Sequence, residues 1–445
     1  MTDTERKPTV AILGASGLIG EALCGFLAAQ GYAPIPVARR FTPVQQEAWR
    51  GRLLRCPLVE ADETSLRRSL AATRADVVIN CVGVLQDAPG LSASDANRGF
   101  VERLVNALAD WDGPSPLLVH VSIPGHTDED RTDFSLAKRA AEAAIRRSGL
   151  SYVILRPGFV VTEAAYGGSA LMRSLAVLPF GLPRNLADRP FAVTDARDIG
   201  RTAVVLLEAW RAGRRDWQAS WDVMDDGGTR VGDVVSALTA RLAGPTRRLR
   251  VPNAMLTLAG FAGDGAARLG WRPPVRSTAI AEMRRGVAGD ATAWREATGL
   301  TAEPGAAVLQ AVAATVQERW FARLYMLKAL VLGVLVVFWI VSGAIALSVA
   351  FDAAVRILTD HGFAAPFARA VTVATSLMDI SIGVLIANRR TCRLGLAAGI
   401  ALSVCYMISA AVLTPDMWIE PLGALVKTGP AIVLMMVGLA LLEDR

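Results

Sequence analysis

The sequence predicts an α/β, doubly wound parallel sheet with a small α+β lobe, followed by an all-α bundle of four membrane-spanning helices. Three observations carry this expectation. Strand-like and helical patterns alternate from Thr9 to about Leu155. An apolar strand, Thr9-Val10-Ala11-Ile12-Leu13, runs straight into the glycine-spaced turn Gly14-Ala15-Ser16-Gly17-Leu18-Ile19-Gly20. After Trp320 the chain becomes apolar, and this last quarter accounts for a hydrophobic share of 52%, high for a wholly soluble protein.

Taken in order, the expected strands are Thr9–Leu13, Ala33–Val37, Pro57–Glu60, Asp76–Asn80, Leu117–Ser122 and Ser151–Leu155, with helices from about Leu18, Ser65, Ser92 and Thr132 between them. From Arg156 to about Gly305 the pattern is broken and richer in Pro and Gly. Strand-like Ser220–Met224, a helical stretch Val231–Leu242, then Arg250-Val251-Pro252 and an Arg-rich helical segment suit a lobe that closes over a site. The expected divisions are 1–160, 161–315 and 320–445.

The apolar stretches Leu324–Ala350, Val371–Ala387, Leu394–Leu413 and Leu422–Leu442 each approach the roughly 17 to 25 residues that a spanning helix needs. Arg319, Arg323 and Lys328 flank the first, and Arg389, Arg390 and Arg393 fill the link between the second and third. Thr414–Glu420, between the third and fourth, has no positive charge. Positive charge stays on the cytoplasmic side, so both termini and the soluble region are expected there, in the inner (plasma) membrane of a bacterium. Trp320 and Trp418 suit the two lipid–water interfaces. The run after the charged N-terminus, Met1 to Pro8, breaks at Gly14, too soon for a signal-peptide core.

A net charge of +6 comes without a Lys/Arg run, so it reads as membrane orientation, and nucleic-acid binding is not expected. The five cysteines, Cys24, Cys56, Cys81, Cys392 and Cys405, show no CxxC spacing, so neither a disulfide framework nor a metal site is expected.

In the glycine turn, Gly14 allows the tight bend, Gly17 lets the backbone approach a pyrophosphate, and Gly20 lets the helix pack closely on the strand. The helix N-terminus then faces the anion. With its G-x-x-G-x-x-G spacing the chain resembles the short-chain dehydrogenase/reductase superfamily, in its extended and atypical branches. The resemblance covers residues 9 to about 305 and implies a Rossmann-type site holding NAD(P) through Gly14, Ser16, Gly17, Leu18, Ile19 and Gly20. Arg39 and Arg40 follow the second strand, where an arginine pairs with a 2′-phosphate and an acid would bind a ribose diol. They favour NADP(H) over NAD(H), a solvated surface pair being the alternative. The resemblance places Asp62 near the adenine, although a plain loop carboxylate fits as well. Asn80-Cys81-Val82-Gly83 resembles the family's N-x-A-G segment, and Arg156-Pro157-Gly158 completes the match.

In the family's reductases a Ser, a Tyr and a Lys four residues after the Tyr act together: the Lys lowers the tyrosine pKa and holds the cofactor ribose, the Tyr gives the proton and the Ser polarises the carbonyl. Here Ser122 and Lys138 match, but Phe134 stands in the place of the tyrosine, and a phenyl ring cannot transfer a proton. Three consequences stand open. The chain binds NADP(H) without turnover, as a redox sensor or assembly factor, like the atypical branch that includes the accessory nucleotide-binding subunit of respiratory complex I and the NmrA-like proteins. It passes hydride to a membrane acceptor such as a quinone, with Lys138 as the acid/base group, as in the isoflavone-reductase-like branch. Or Tyr166 or His126 replaces the missing hydroxyl, a solvated loop residue being the ordinary alternative for each. Asn97 stands where related enzymes carry a helix asparagine, or is a helix-surface residue.

In the spanning region Asp379, Tyr406 and Lys427 fall at similar depth, counted at about 1.5 Å per residue. They are expected to converge, with Asp379 and Lys427 as an ion pair and Tyr406 as hydrogen-bond partner, in either a structural clasp or a quinone or proton-linked pocket. Asp379 with Gly383, Tyr406, Pro415, Trp418, Pro421-Leu422-Gly423, Lys427 and Pro430 resemble the DoxX-like four-helix membrane domain, over residues 320–445. That resemblance implies a link to membrane oxidoreductase systems and to thiol or quinone redox chemistry. Cys405 reads as packing. Four short spans leave little room for alternating access, so a transporter is not expected. The preferred reading is a membrane-anchored oxidoreductase, with the non-catalytic sensor as its alternative.

Overall fold

The computed structural model describes residues 6–87, 90–111, 113–419 and 423–442. Residues 1–5 of the charged N-terminus, and Glu420, Pro421 and Leu422 of the expected fourth span and its link, lie outside them. The chain divides into two compact units, Met1–Asp264 with Pro274–Ala322, and Gly265–Pro273 with Arg323–Arg445.

The first unit is built on a seven-stranded sheet in the order β10-β6-β5-β4-β1-β2-β3, parallel throughout. Its strands are β1 (Val10–Leu13), β2 (Ile35–Ala38), β3 (Leu54–Arg55), β4 (Val77–Asn80), β5 (Leu117–Val121), β6 (Tyr152–Pro157) and β10 (Gln218–Val223). Helices α1 (Leu18–Ala29), α2 (Pro43–Ala48), α3 (Glu63–Ala71), α4 (Phe100–Ala109) and α5 (Asp133–Arg147) connect the first six strands. Period-two alternation splits β1 between the faces. Val10 and Ile12 pack toward Leu23, Leu27 and Leu206, whereas Ala11 and Leu13 pack toward Leu66, Leu104 and Ile145. Each such buried Leu or Ile contributes about 1.5–3 kcal/mol, and residues buried on both faces explain the near-continuous apolar strands.

Between β6 and β10 come β7 (Phe159–Val161), α6 (Gly167–Val177), β8 (Phe180–Gly181), α7 (Arg184–Ala187), β9 (Val193–Asp195) and α8 (Ala196–Arg211). After β10 follow α9 (Val231–Arg241), β11 (Leu249–Arg250), α10 (Asn253–Arg268), α11 (Ser277–Arg285), α12 (Thr292–Thr298) and α13 (Gly305–Gln310). The pairs β7·β9 and β8·β11 are small parallel ladders of the lobe.

The third strand departs from the expectation. Residues 57–60 form a turn, with Ala61 N donating to Pro57 O at 2.9 Å, and the ladder uses Leu54–Arg55 against Val37–Ala38. Pro57 has no N–H for a ladder and its fixed φ favours the turn.

The second unit holds α14 (Val316–Leu347), which begins in the first, then α15 (Phe351–Thr359), α16 (Ala365–Ala387), α17 (Cys392–Leu413) and α18 (Ala424–Leu441). Among the described residues α14, α16 and α17 are long and apolar enough to cross a membrane, and α18 is a shorter apolar helix. Small residues let the helices approach: a Cβ at Gly343 would stand 2.4 Å from Ser376 O, and one at Gly383 2.5 Å from Ile340. The nine-residue α15, which the hydropathy pattern did not announce, occupies part of the link between the first two spans.

Candidate nucleotide site and membrane polar pair

At the C-terminal edge of β1 the chain bends at Gly14, whose φ of +77° is the left-handed conformation that glycine adopts without strain. Gly14 N donates to Val37 O, and Gly17 N to Gly14 O, both at 2.9 Å. A Cβ at Gly20 would lie 2.4 Å from Gly14 O, so close packing of α1 on the turn requires glycine there. At Gly17 a Cβ would meet only Gly14 O, at 3.2 Å, so the protein's own packing asks little of this position. Gly17 caps α1 with no side-chain hydrogen bond, and Ser16, Leu18 and Ile19 are half-buried around it. An open helix start behind a cradle that a side chain would fill fits a dinucleotide's phosphates.

Beyond β2 the two arginines differ. Arg39 is ion-paired with Glu60, whereas Arg40 is exposed with no partner among the described residues. Asp62 caps α3, accepting from Ser65 N at 2.7 Å, and that bond holds its carboxyl below the usual range.

The end of β4 is tied to β5. Asn80, fully buried, accepts from Val82 N at 2.9 Å through Oδ1, which turns its amide nitrogen toward His120 Nδ1 at 3.1 Å. His120 Nδ1 is then the acceptor and Nε2 carries the proton, buried with no partner among the described residues. Burial, aided by the Lys138 charge, pushes this imidazole down to about 3, so it is neutral at ordinary pH. Asn97 is not the helix-surface residue that its pattern allowed. It is buried in a π-helical turn, Asp95–Gly99, donating to Val84 O at 2.6 Å and Ala93 O at 2.7 Å, and so it fixes the loop after β4.

Ser122 follows β5 and Lys138 lies on α5. Lys138 is 4% exposed, and its Nζ donates to Val121 O at 3.0 Å and reaches Val82 O at 3.4 Å. Burial pushes the ammonium down to about 8, opposed by Cys81 and Glu142. A Cβ on Gly83 would stand 3.2 Å from Lys138 Nζ, so that glycine keeps space in front of the amine. Ser122 Oγ is buried without a hydrogen bond of ordinary geometry, though it stands close enough to Glu142 to favour that carboxylate. Phe134, the second residue of α5, is half-buried, Tyr166 is half-buried before α6, and His126 is exposed in the loop after β5. Pro157 ends β6, and a Cβ on the next residue, Gly158, would clash with Ala192 O at 2.4 Å.

Behind this edge lies a charge network that the motif reading missed. Glu142, one turn after Lys138, accepts from Arg156 at 2.5 and 2.9 Å and from Arg146 at 2.8 Å, with Arg139 at 3.3 Å. Burial would raise its carboxyl, but Arg156, Ser122 and Arg139 outweigh burial and hold it down at about 2. Asp130 joins Arg139, at 2.9 Å, to Arg285 of α11, at 2.8 Å, and Arg139 also holds the carbonyls of Ile123, Pro124 and Gly125. This network anchors α5 and the loop after β5. The sequence signals were His120-x-Ser122, two polar residues on one face of a buried strand, and Lys138-x-x-x-Glu142, one face of a helix.

In the second unit Tyr406 Oη donates to Asp379 Oδ1 at 2.9 Å and approaches Thr375 O at 3.5 Å. The expected third member is absent from this group. Lys427 is exposed and makes no ion pair with Asp379 among the described residues. Gly423, at φ +60°, starts α18 just before it, so Lys427 stands in the opening turn, where a long ammonium side chain reaches outward.

Residues 10–169 match the NAD dependent epimerase/dehydratase family, and residues 336–436 match the DoxX-like family. The dTDP-6-deoxy-L-talose 4-dehydrogenase (NAD(P)(+)) of Kitasatospora kifunensis is 31% identical over 190 residues, 38% of this chain and 58% of that enzyme. The match thus spans less than two thirds of that relative. Among solved structures, a protein of Burkholderia cenocepacia J2315 shares the fold with a TM-score of 0.53, at 17% identity over 72% of this chain and 100% of its own. UDP-glucuronic acid 4-epimerase from Bacillus cereus, solved with UDP-glucuronic acid and NAD, does so with a TM-score of 0.51, at 13% identity over 71% of this chain and 99% of its own. The chain therefore joins an N-terminal Rossmann-like domain that matches the NAD dependent epimerase/dehydratase family to a C-terminal helical domain that matches the DoxX-like family.

Proposed function

We propose that this chain is a membrane-anchored NAD(P)H oxidoreductase in which Lys138 serves as the proton donor in place of the missing tyrosine. The observation that carries this reading is the Lys138 amine itself: buried, held by two backbone carbonyls, with space kept before it by Gly83 and a pKa lowered to about 8. An ammonium poised there can release a proton near neutral pH, which an ordinary lysine does poorly. Gly14, Ser16, Gly17, Leu18, Ile19 and Gly20 would cradle the phosphates, with Asn80, Val82, Gly83 and Pro157 lining the strand edge and Asp62 toward the adenine. A bound nicotinamide supplies hydride chemistry at this edge. Ser122 Oγ, buried beside the Glu142 carboxylate at the end of β5, would orient an acceptor oxygen.

A quinone-type acceptor suits this machinery, because its reduction to quinol takes one hydride, which the nicotinamide would supply, and one proton, which the Lys138 ammonium would give before being reprotonated from solvent. Arg40, with no partner among the described residues, favours NADP(H), whereas Arg39 is ion-paired with Glu60. Arg319, Arg323, Arg389, Arg390 and Arg393 favour a cytoplasmic face for the nucleotide domain.

Purified full-length protein should oxidise NADPH with a short-chain quinone, and Lys138→Ala should abolish turnover while retaining nucleotide binding. Equal turnover by Lys138→Ala would overturn the role of the lysine. Phe134 favours a second reading, a non-catalytic NADP(H) sensor or assembly factor. Tight nucleotide binding with no oxidation by any acceptor would establish that reading instead.

A further inference from the structure

Helix α10 presents its apolar side outward. Its buried residues are Gly260 and Gly263, and a Cβ at Gly263 would stand 2.0 Å from Val275 O, so the glycine side is pressed onto the segment around Val275. On the opposite side Ala254, Met255, Leu258, Phe261 and Ala262 fall in one sector at about 3.6 residues per turn. Met255, Leu258 and Phe261 are 57%, 69% and 64% exposed. The two ionisable residues of the helix are Asp264, ion-paired with Arg276 at 2.9 Å, and Arg268. Apart from Arg268 in the last turn, this outward face carries no charge, which is not the pattern of a helix surface that meets water.

The surroundings of this face are basic. Residues 244–276 hold six arginines against one acid, Asp264. Arg247, Arg250, Arg268 and Arg272 are exposed and have no partner among the described residues, and Arg250 lines an open recess with Arg184, Asn185 and Asn253. The last turn of α10 and the residues after it belong to the unit of apolar helices. Arg389 N donates to Leu269 O at 3.0 Å, Trp271 Nε1 donates to Ala387 O at 2.7 Å, and the Arg389 guanidinium stands over the Trp271 ring, 5.5 Å from its centroid. Ala387 is the final residue of α16, and Arg389 lies in the basic link that follows it. The end of α10 is therefore fastened to the basic end of a helix long and apolar enough to cross a membrane.

We propose that α10 is an interfacial helix that lies in an anionic lipid surface, with Met255, Leu258 and Phe261 at the acyl boundary and Arg250, Arg268 and Arg272 on lipid phosphates. Apolar insertion and basic flanks together are what such a helix needs. The inference does not depend on whether the bound nucleotide turns over.

The test uses the full chain with a photoreactive benzophenone amino acid in place of Leu258, reconstituted in vesicles of phosphatidylcholine alone or of equal parts phosphatidylcholine and phosphatidylglycerol. Irradiation should give phospholipid adducts, more abundant in the anionic vesicles. Each arginine at an anionic surface is expected to favour the docked state by about fivefold. Adducts to protein, whether a second copy or another chain, or no lipid adduct in either vesicle, would overturn the proposal. Arg268→Ala combined with Arg272→Ala, at exposed positions that leave the fold intact, should reduce the preference for anionic vesicles, and an unchanged preference would also overturn it.

Discussion

Alanine at Gly17 and at Gly20 will fail in different ways, because the two glycines answer to different neighbours. Gly20→Ala drives a Cβ to 2.4 Å from Gly14 O and 2.8 Å from Ala15 Cα, both backbone atoms of a turn tied to β2. Neither can swing aside, so the cost is that of overpacking, on the order of 1–3 kcal/mol. At roughly 2–4 °C per kcal/mol for a domain of this class, Tm falls by several degrees. Gly17→Ala meets only Gly14 O at 3.2 Å, at an ordinary φ of −86°, so a shift of a few tenths of an ångström accommodates it. Its cost to folding is below about 1 kcal/mol, that of a poorer N-cap. The added methyl nevertheless stands where phosphate oxygens must come to the helix start, and a loss of at least about tenfold in nucleotide affinity is expected. Thermal unfolding followed by intrinsic fluorescence, and NADPH titration of the same detergent-solubilised samples, separate the two effects. Wild-type affinity in a folded Gly17→Ala protein would refute the placing of the pyrophosphate at this turn. Wild-type Tm in Gly20→Ala would refute the packing argument.

Further outcomes follow from the same geometry. Lys138 has a folded pKa near 8, below its ordinary 10.5, so the unfolded chain binds more protons between those values and stability should rise with pH across that window. The gain is at most about 3 kcal/mol, and it should vanish in Lys138→Met when denaturant midpoints are compared at pH 8 and 10. Quinone-dependent turnover should instead fall as pH rises through about 8, as the donor loses its proton. Arg40→Ala should weaken NADPH by about tenfold to a hundredfold and leave NADH nearly unchanged, measured by titration, whereas equal loss for both would remove the 2′-phosphate from Arg40. Tyr406→Phe deletes the hydrogen bond to Asp379 and should destabilise the helical unit by about 0.6–1.7 kcal/mol in a detergent-unfolding assay, with little further loss when combined with Asp379→Leu. Additive losses would show that the pair is not coupled.

Much of the architecture was legible because its signals are local. A strand followed at once by Gly14, Gly17 and Gly20 states a turn and a close helix contact in seven residues, and the structure forms both. The apolar stretches announce α14, α16 and α17 by composition alone. The pairing of Asp379 with Tyr406 was readable from depth along two helices, since the cost of a polar group in lipid forces it to find a partner. Lys427 does not join them, because depth along a helix does not say which side of it a residue faces: Lys427 is exposed in the opening turn of α18 and makes no ion pair with Asp379 among the described residues. The third strand was displaced: β-like composition at 57–60 was overruled by Pro57, which cannot join a ladder.

What the sequence determined by itself is the order of elements and the residue types at the nucleotide turn, because backbone conformation and burial on both faces are written in neighbouring residues. Only the tertiary structure decided that Asn80 sets the tautomer of a buried His120, that Glu142 gathers Arg139, Arg146 and Arg156 behind Lys138, and that α10 turns its apolar side outward. The physical reason is the same in each case. Protonation state and exposure depend on which groups, dozens of residues apart in the chain, are brought within a few ångströms, and no local pattern records that distance.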